Sequence, residues 1–310
     1  MTNRRSSNPI STEPTVGAGP SPWRRLIRHR LGLTGGLVLL LMLLACFVSL
    51  PHTARRFDEQ SLANNLAPPS RDHPLGTDEL GRDMLVRVLY GGVISITFGL
   101  LAAAISVVIG VTYGAVSAYA GGRVDAGMMR LVDILYSLPY ILLVMLLTLS
   151  LRPYFQRVLS VQWATFWVLL LAIGGVSWLT MARVVRGQVL SLKAQPFVEA
   201  ARATGIPTRR ILVRHILPNL VGPIVVYATL TVPQVILQES FLSFLGIGVQ
   251  APQASWGSLA ADGIAAINPL HVHWWLVVWP CVLLAAALLA LSFLGDGLRD
   301  VFDPRSEKTA

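Results

Sequence analysis

Six long apolar segments constrain the fold of this 310-residue chain more than any other feature. About 20 apolar residues in a helix, rising about 1.5 Å per residue, cross a hydrocarbon core of roughly 30 Å. Such segments lie at about 31–50, 93–119, 128–151, 163–183, 216–245 and 274–295. Only 13% of the residues are charged, which is too few for an ordinary soluble domain. The pattern predicts an all-α integral membrane protein with six transmembrane helices.

Lysine and arginine are distributed unevenly among the connecting segments, and this asymmetry predicts the orientation. If the N-terminus is inside, the inner segments hold 18 basic residues and the outer segments hold seven. The positive-inside rule therefore places both termini in the cytoplasm. The formal net charge of +9 follows these loops, so it reports topology and lipid contact and does not indicate a nucleic-acid partner.

The predicted organisation has four parts. Residues 1–23 form a cytoplasmic tail whose Ser, Pro, Thr and Gly content predicts disorder. Residues 24–92 hold the first span, too long for a cleaved signal peptide, and an external loop. In that loop, the apolar residues Met84, Leu85, Val88 and Leu89, set against Arg82, Asp83 and Arg87, predict a short amphipathic helix on the membrane surface. A solvated connector is the alternative. Residues 93–298 form a five-helix core, and 299–310 form a cytoplasmic tail.

A charged island at residues 199–218, EAARATGIPTRRILVRHILP, lies between the fourth and fifth spans. Gly205 and Pro207 divide it into two short helices, about 195–204 and the stretch that follows, and Pro218 marks the start of the next span. Glu199 and Arg202 are three positions apart and share a helix face, among the small residues Ala200, Ala201 and Ala203. This composition predicts a compact cytoplasmic knob that enters a cleft on a soluble partner. The alternative is a helix that rests on anionic lipids.

Motifs for catalysis and cofactor binding are missing from the sequence. The two lysines, Lys193 and Lys308, do not follow a glycine, so neither belongs to a phosphate-binding loop. We therefore expect a non-enzymatic chain that binds no cofactor itself. His271 and His273, beside two tryptophans, are more typical of an interfacial belt than of a metal site. Cys46 and Cys281 lie within apolar segments and are interpreted as small buried hydrophobic residues.

Polar residues inside the spans are the remaining candidates. Glu239, with Gln238 and Gln234 nearby, makes the fifth span unusually polar, and charge in a span usually faces a bundle interior or a water-filled path. Two interpretations remain open. These three residues could line a translocation path, or Glu239 could make a satisfied hydrogen bond to another helix. Asp133 near the start of the third span is expected to pair with Arg130 or Arg183.

The sequence Glu-Ala-Ala-x3-Gly at Glu199–Gly205, followed by Ile216-Leu217-Pro218, resembles the EAA signature of permease subunits of binding-protein-dependent ABC importers. More of the chain, about 24–305, resembles the C-type subunit of the dipeptide/oligopeptide/nickel permeases. The stretches that carry this second resemblance are HPLGTDELGRDMLVRVLYGG, YAGGRVDAGMMRLVDILYSLP, RHILPN and ESFLSFLGIGVQAPQASWG.

This resemblance implies a type I importer permease core, MetI-like, in a bacterial cytoplasmic membrane. It implies a heterodimer with a B-type permease, two cytoplasmic ATPases that carry ATP and Mg, and an extracytoplasmic binding protein that delivers substrate. Glu199, Ala200, Ala201, Arg202 and Gly205, within a coupling loop at 190–215, would contact an ATPase. Short peptides are the expected substrate, with nickel chelates, glutathione or oligosaccharides as alternatives. A stand-alone secondary transporter and a non-transporting membrane scaffold are the rival functions.

Overall fold

A computed structural model describes residues 30–267 and 271–302 of the chain. These residues form helices and no β-strand, apart from one isolated bridge between Thr77 and Asp83. The all-α prediction is confirmed within this part of the chain. The tail over 1–23 and residues 303–310 of the C-terminal tail lie outside the described residues.

Nine helices account for the described architecture. They are α1 (Arg30–Arg56), α2 (Met84–Ala120), α3 (Gly122–Ser137), α4 (Tyr140–Phe155), α5 (Val161–Lys193), α6 (Pro196–Ala203), α7 (Thr208–Phe244), α8 (Trp256–Ala265) and α9 (Trp275–Phe302). A short 3₁₀ turn, Leu62–Asn64, lies in the segment after α1. Helices α1, α2, α5, α7 and α9 are each long and apolar enough to cross a membrane.

The third predicted span, 128–151, is corrected from one helix to two. Helices α3 and α4 meet at a 92° bend, where Leu138 and Pro139 leave the helical conformation. Proline has no N–H to donate and disfavours helical geometry in the residue before it, so a helix ends at this point. Each 16-residue half is about 24 Å long, shorter than the hydrocarbon core.

Contacts at the two ends of the bundle show that α3 and α4 together cross the bundle once. Asp125, at the start of α3, accepts a hydrogen bond from Ser117 near the end of α2. Arg152, near the end of α4, donates to Gln250 in the segment after α7. The pair therefore begins at the end of the bundle that holds α6, called the α6 end, and finishes at the end that holds α8, the α8 end. The chain thus traverses the bundle six times, as the six apolar segments predict.

The expected surface helix at Met84–Leu89 is also corrected, because these residues are the first turns of α2. The Asp83 carboxylate accepts from the backbone N–H of Leu85 at 2.8 Å and caps the helix. Arg87, which gave the sequence its amphipathic pattern, is buried and donates to Asp78 instead of facing solvent. The domain boundary expected at residue 92 therefore falls inside a helix.

Close packing of α2 against α5 forms the centre of the bundle, and α1 packs outside it against α9 and α2. A Cβ at Gly114 of α2 would collide with the Ala182 carbonyl oxygen of α5, so only glycine permits this approach. Cys46 of α1 is buried beside Gly92, as predicted, whereas Cys281 is half-buried. The start of α1 and the end of α9 both lie at the α6 end of the bundle. Phe302, at the end of α9, packs there on Gly222.

Candidate functional site

Helix α6 is held as a compact knob by the way it ends. The N–H of Gly205 bonds to the Arg202 carbonyl at 2.9 Å, and the N–H of Ile206 bonds to the Ala201 carbonyl at 3.2 Å. These two bonds form a Schellman motif, which needs a left-handed residue in the position of Gly205. Gly205 has φ of +75°, a conformation that side chains with a Cβ disfavour. The predicted break between the two short helices is confirmed, with Pro207 directly before the next helical residue.

The candidate coupling residues divide into an outward and an inward group. Glu199, Ala200, Arg202 and Gly205 are exposed. No ion pair or hydrogen bond within the described part of the chain holds the Glu199 carboxylate. Ala201, in contrast, is buried together with Val198. Ala201 therefore packs the knob on its own chain and does not face outward, in contrast to the four other residues expected to contact an ATPase.

The buried side of α6 packs on the ends of three neighbouring helices. Val198 and Ala201 join a cluster with residues of α2, α5 and the start of α7, among them Ala118, Val189 and Ile211. Lys193, just before α6, donates to the carbonyl oxygens of Ala118 and Tyr119 at 3.2 and 3.0 Å. These carbonyls end α2 and have no partner within a helix, so the lysine ties α6 to the second span.

Pro218 does not separate the charged island from the fifth span. Helix α7 runs without interruption from Thr208 through Phe244, with a π-helical turn at Leu212–Ile216 and a 3₁₀ turn at Leu217–Leu220. Proline removes one hydrogen-bond donor, and the change of helical pitch around it accommodates that loss. The Asn219 side chain donates to the His215 carbonyl at 2.6 Å. The knob is therefore separated from α7 only by the turn at Gly205–Pro207, and from Thr208 onward the helix runs into the fifth span.

A polar groove runs along α7 beside the bend between α3 and α4. It encloses a cavity of about 280 Å³. Gln234 and Gln238 of α7 line it, and the Tyr140 hydroxyl donates to the Gln238 side-chain oxygen at 2.5 Å. The other polar lining residues are Tyr136, Ser177, Thr180, Tyr227 and Thr231. The groove thus offers uncharged hydrogen-bonding groups on a surface that is otherwise apolar.

Glu239 does not share this groove, although it follows Gln238 in sequence. Its side chain is 0% exposed, and one carboxylate oxygen accepts from the hydroxyls of Ser243 and Ser255 at 2.7 and 2.8 Å. The second oxygen has no hydrogen-bond partner within the described residues. Because Ser255 precedes α8, the bond links α7 to another helix. The structure thus gives Glu239 the interhelical hydrogen bond that was the alternative to a path-lining role.

Two ion pairs stand near the α6 end of the spans. Asp133 of α3 accepts from Arg183 of α5 at 2.7 Å, which selects Arg183 between the two expected partners. The pair is exposed, and the Arg183 guanidinium also lies 4.0 Å from the centre of the Tyr136 ring. Asp125 is more enclosed and accepts two bonds of 2.6 Å from Arg186. Exposed charges of this kind within spans face water or another protein and not hydrocarbon.

The α8 end is organised around the Asp78 carboxylate. It accepts from the side chains of Arg82 and Arg87 at 2.7 and 2.5 Å. Trp275 at the start of α9 donates its indole N–H to the Thr77 carbonyl at 3.1 Å. His273 packs edge-on against Trp275, in keeping with an interfacial aromatic belt. This folded segment gives the α8 end a rigid, polar outer surface.

The family of this chain is shown by its match to a family profile. Residues 96–308 match the profile of the family described as "binding-protein-dependent transport system inner membrane component". The chain belongs to this family. A second profile, the N-terminal TM domain of oligopeptide transport permease C, matches residues 21–69 of this permease. The family confirms the resemblance found in the sequence and makes the chain a multi-pass membrane permease.

Curated relatives cover nearly the whole permease. It is 42% identical over 295 residues to the dipeptide transport system permease protein DppC of Bacillus subtilis (strain 168), covering 94% of this chain and 87% of that one. It is 45% identical over 294 residues to the oligopeptide transport system permease protein OppC of Escherichia coli (strain K12), covering 93% and 92%.

A solved structure shares the fold of the permease core. A chain of the MetNI methionine ABC transporter, in an inward-facing conformation, aligns with a TM-score of 0.56 and 20% sequence identity. The alignment covers 70% of this chain and 97% of the other. The MetI-like fold predicted from the sequence is therefore present, and about 30% of this chain lies outside the shared part.

Several residues of these sites escaped the sequence reasoning. Tyr136, Tyr140 and Thr180 line the groove from three other helices, α3, α4 and α5, and the bend at Pro139 lies between the first two. The proline inside an apolar segment was the available signal, since it predicts a break. The Asp125–Arg186 pair joins residues 61 positions apart, and nothing local in the sequence marks such a pair.

Proposed function

We propose that the chain is one of the two permease subunits of an ATP-driven importer of short peptides. The peptide substrate rests on the curated relatives, whose names specify dipeptide and oligopeptide transport. Their names favour peptides over nickel chelates, glutathione and oligosaccharides. A B-type permease would complete the pathway, and a binding protein would deliver peptide to the α8 end. The basic-residue asymmetry supports a cytoplasmic α6 end with both termini on that side.

The observation that carries the coupling role is the exposed, unpaired carboxylate of Glu199 on an anchored knob. Val198 and Ala201 fix α6 to the bundle, while Glu199, Ala200, Arg202 and Gly205 remain open to a partner. An ATPase groove that receives this face would transmit its movement into α7, because the helix continues from Thr208 into the fifth span. ATP and Mg would be held by the ATPases, and this chain would contribute no catalytic residue.

The groove along α7 supports a path for peptides. Peptides vary in side chain but share backbone N–H and C=O groups, so an uncharged lining rich in hydroxyls and amides can serve many sequences. Gln234, Gln238 and Tyr140 supply such groups at the cavity. Glu239 is not included in this proposed path.

The coupling proposal is tested with the complete importer, purified with both permeases and the ATPases. Glu199→Lys is expected to reduce ATPase co-purification and ATP-driven peptide uptake, because it reverses the charge at the centre of the contact. Glu79→Lys makes the same change at an exposed position on the α8 end and is the matched control for ATPase association. Full ATPase association and full uptake in Glu199→Lys would refute the coupling assignment.

The substrate proposal has its own measurement. The importer and its binding protein are reconstituted in vesicles, and uptake of a labelled dipeptide and a labelled pentapeptide is compared with uptake of a nickel chelate and of glutathione. Saturable, ATP-dependent uptake of peptide alone is expected. Transport of a chelate or glutathione without transport of peptide would overturn the peptide assignment and leave the coupling test unaffected.

A further inference from the structure

The first turns of α7 carry a basic surface formed by Arg209, Arg210, Val213 and Arg214. All four side chains are exposed, and Val213 is 56% exposed. Together with Pro207 they line one open depression. The opposite, buried side of the same turns consists of Ile211 and Ile216. The helix is thus amphipathic, with its core-facing side already packed and its basic side free.

The three guanidinium groups of the basic surface have no partner among residues 30–267 and 271–302. None of them makes an ion pair or hydrogen bond within the described residues. Four other arginines, Arg82, Arg87, Arg183 and Arg186, each contact a carboxylate within the described residues. Between residues 194 and 220, Glu199 is the only acidic residue. No described carboxylate therefore pairs with the basic surface, which leaves three positive charges open to an anionic ligand.

The position of the basic surface along α7 indicates which negatively charged groups it meets. Ile216 and Leu220, just after the basic surface, pack against Ala115 and Ala118 in the last turns of α2. Helix α2 ends at this level, and Arg214 lies two residues before Ile216 on the side towards α6. Exposed basic residues directly next to a span, with an apolar side chain among them, are the composition of helices that lie in the headgroup region.

We infer that the basic surface binds the phosphate headgroups of anionic lipids in the leaflet at the α6 end. The guanidinium forks of Arg209, Arg210 and Arg214 would donate to phosphate oxygens, and Val213 would enter the boundary between headgroups and acyl chains. The lipid contact lies immediately after the knob that carries Glu199. It fixes the depth at which α7 enters the membrane, independently of what α6 binds.

The test measures lipid contact at one site in the complete importer. A Val213→Cys variant, with Cys46→Ala and Cys281→Ala, carries a fluorophore and is placed in phosphatidylcholine vesicles. Nitroxide-labelled phosphatidylglycerol is then compared as a quencher with phosphatidylcholine that carries the same nitroxide. Phosphatidylglycerol should quench at least about threefold more strongly, since each arginine near the surface favours anionic lipid. The difference should vanish at about 1 M salt, where charges are screened within about 3 Å.

Control variants make the result specific. Val108→Cys, at a 64% exposed position within the second span, should be quenched equally by both lipids because it faces acyl chains. Replacing Arg209, Arg210 and Arg214 together with glutamine should abolish the preference at Val213→Cys. Replacing them with lysine should retain most of it, since the charge is kept.

Three outcomes would overturn the inference. The first is equal quenching by both lipids with the arginines intact, and the second is a preference that survives the triple glutamine variant. The third is loss of ATPase co-purification in that variant with its lipid preference unchanged, which would assign the basic surface to the ATPase. If the triple variant does not assemble, the salt dependence measured with intact arginines decides the question alone.

Discussion

The hydroxyl of Ser255 donates a hydrogen bond of 2.8 Å to the Glu239 carboxylate and thereby joins the C-terminal part of α7 to the start of α8. Ser255 also caps α8, because its hydroxyl accepts from the Ser258 N–H at 3.1 Å. The same carboxylate accepts from Ser243, one turn further along α7. Glu239 is therefore the centre of a buried polar contact that positions α8 on α7.

Glu239→Ala should destabilise the assembled importer by about 2–3 kcal/mol, because it opens a cavity and leaves two buried hydroxyls without their acceptor. Glu239→Gln should cost less, since its side-chain oxygen can accept the same two bonds. Thermal unfolding of the purified complex measures both. A glutamine variant that is as stable as the wild type but transports no peptide would show that the carboxylate charge itself is needed for transport.

The effect of a substitution at Gly205 on ATPase association should depend on whether the new residue tolerates a positive φ. Gly205→Val should weaken ATPase association several-fold, because a β-branched residue is strained at φ of +75° and the Schellman motif would open. Gly205→Asn should retain most of the association, since asparagine tolerates this conformation. No neighbouring atom lies within 4 Å of a Cβ at this position, so bulk alone does not separate the two variants. Equal association in both would contradict a role for the turn.

The two ion pairs at the α6 end should differ in their effect on stability. Asp125→Ala should lower the free energy of unfolding by about 2–4 kcal/mol, because it leaves Arg186 without the partner that holds it by two hydrogen bonds in a partly enclosed site. Asp133→Ala should cost less than about 1 kcal/mol, because that carboxylate is 65% exposed. Denaturation of both variants under one condition tests the contrast, and a reversed order would refute it.

Replacement of glycine at the closest helix contact should prevent correct packing. Gly114→Ala is expected to reduce the yield of folded complex sharply, because its Cβ would meet backbone of α5 that cannot move aside. Gly127→Ala in α3 is the matched control, since nothing lies within 4 Å of its Cβ and alanine favours helix. Size-exclusion profiles in detergent report both, and equal profiles would show that the α2–α5 contact tolerates separation.

Tyr140→Phe should change peptide transport without loss of stability. The substitution removes the hydroxyl that donates to Gln238 and leaves the ring in place. If the groove is the path, the KM for peptide should rise or the uptake rate should fall, while the melting temperature stays within a few degrees. Phe155→Leu, at the end of α4 and away from the groove, controls for general effects on that helix. Unchanged uptake in Tyr140→Phe and in Gln238→Ala would remove the groove from the path.

Segment length and charge placement predicted much of this structure. Each apolar stretch was recognisable by itself, since a span needs only about 20 suitable residues in a row. The knob was also predictable from neighbouring residues, because Gly205 and Pro207 interrupt the helix within a few residues of each other. These features depend on neighbours in the chain, and sequence displays such neighbours directly.

Features that depend on distant contacts were missed or misplaced. The segment Met84–Leu89 resembled a surface helix because nothing in the sequence marked Asp78 as the acceptor for Arg87. Glu239 and Gln238 are adjacent in sequence yet point to different surroundings, a buried serine contact and an open groove. Ala200 and Ala201 differ in the same way. The side of a helix that meets its own bundle is set by three-dimensional packing, which one sequence does not reveal.

The length of α7 has a mechanical consequence. Its 37 residues rise about 1.5 Å each, so the helix is about 55 Å long. If the end near Glu239 acts as a pivot, a rotation of one degree displaces Thr208 by about 1 Å. Because Thr208 lies about 47 Å from Glu239 along the helix, a shift of about 5 Å at Thr208 corresponds to a tilt of only about 6°. If the knob is the ATPase contact, α7 would act as a long lever that converts a large displacement at its α6 end into a small tilt of the span.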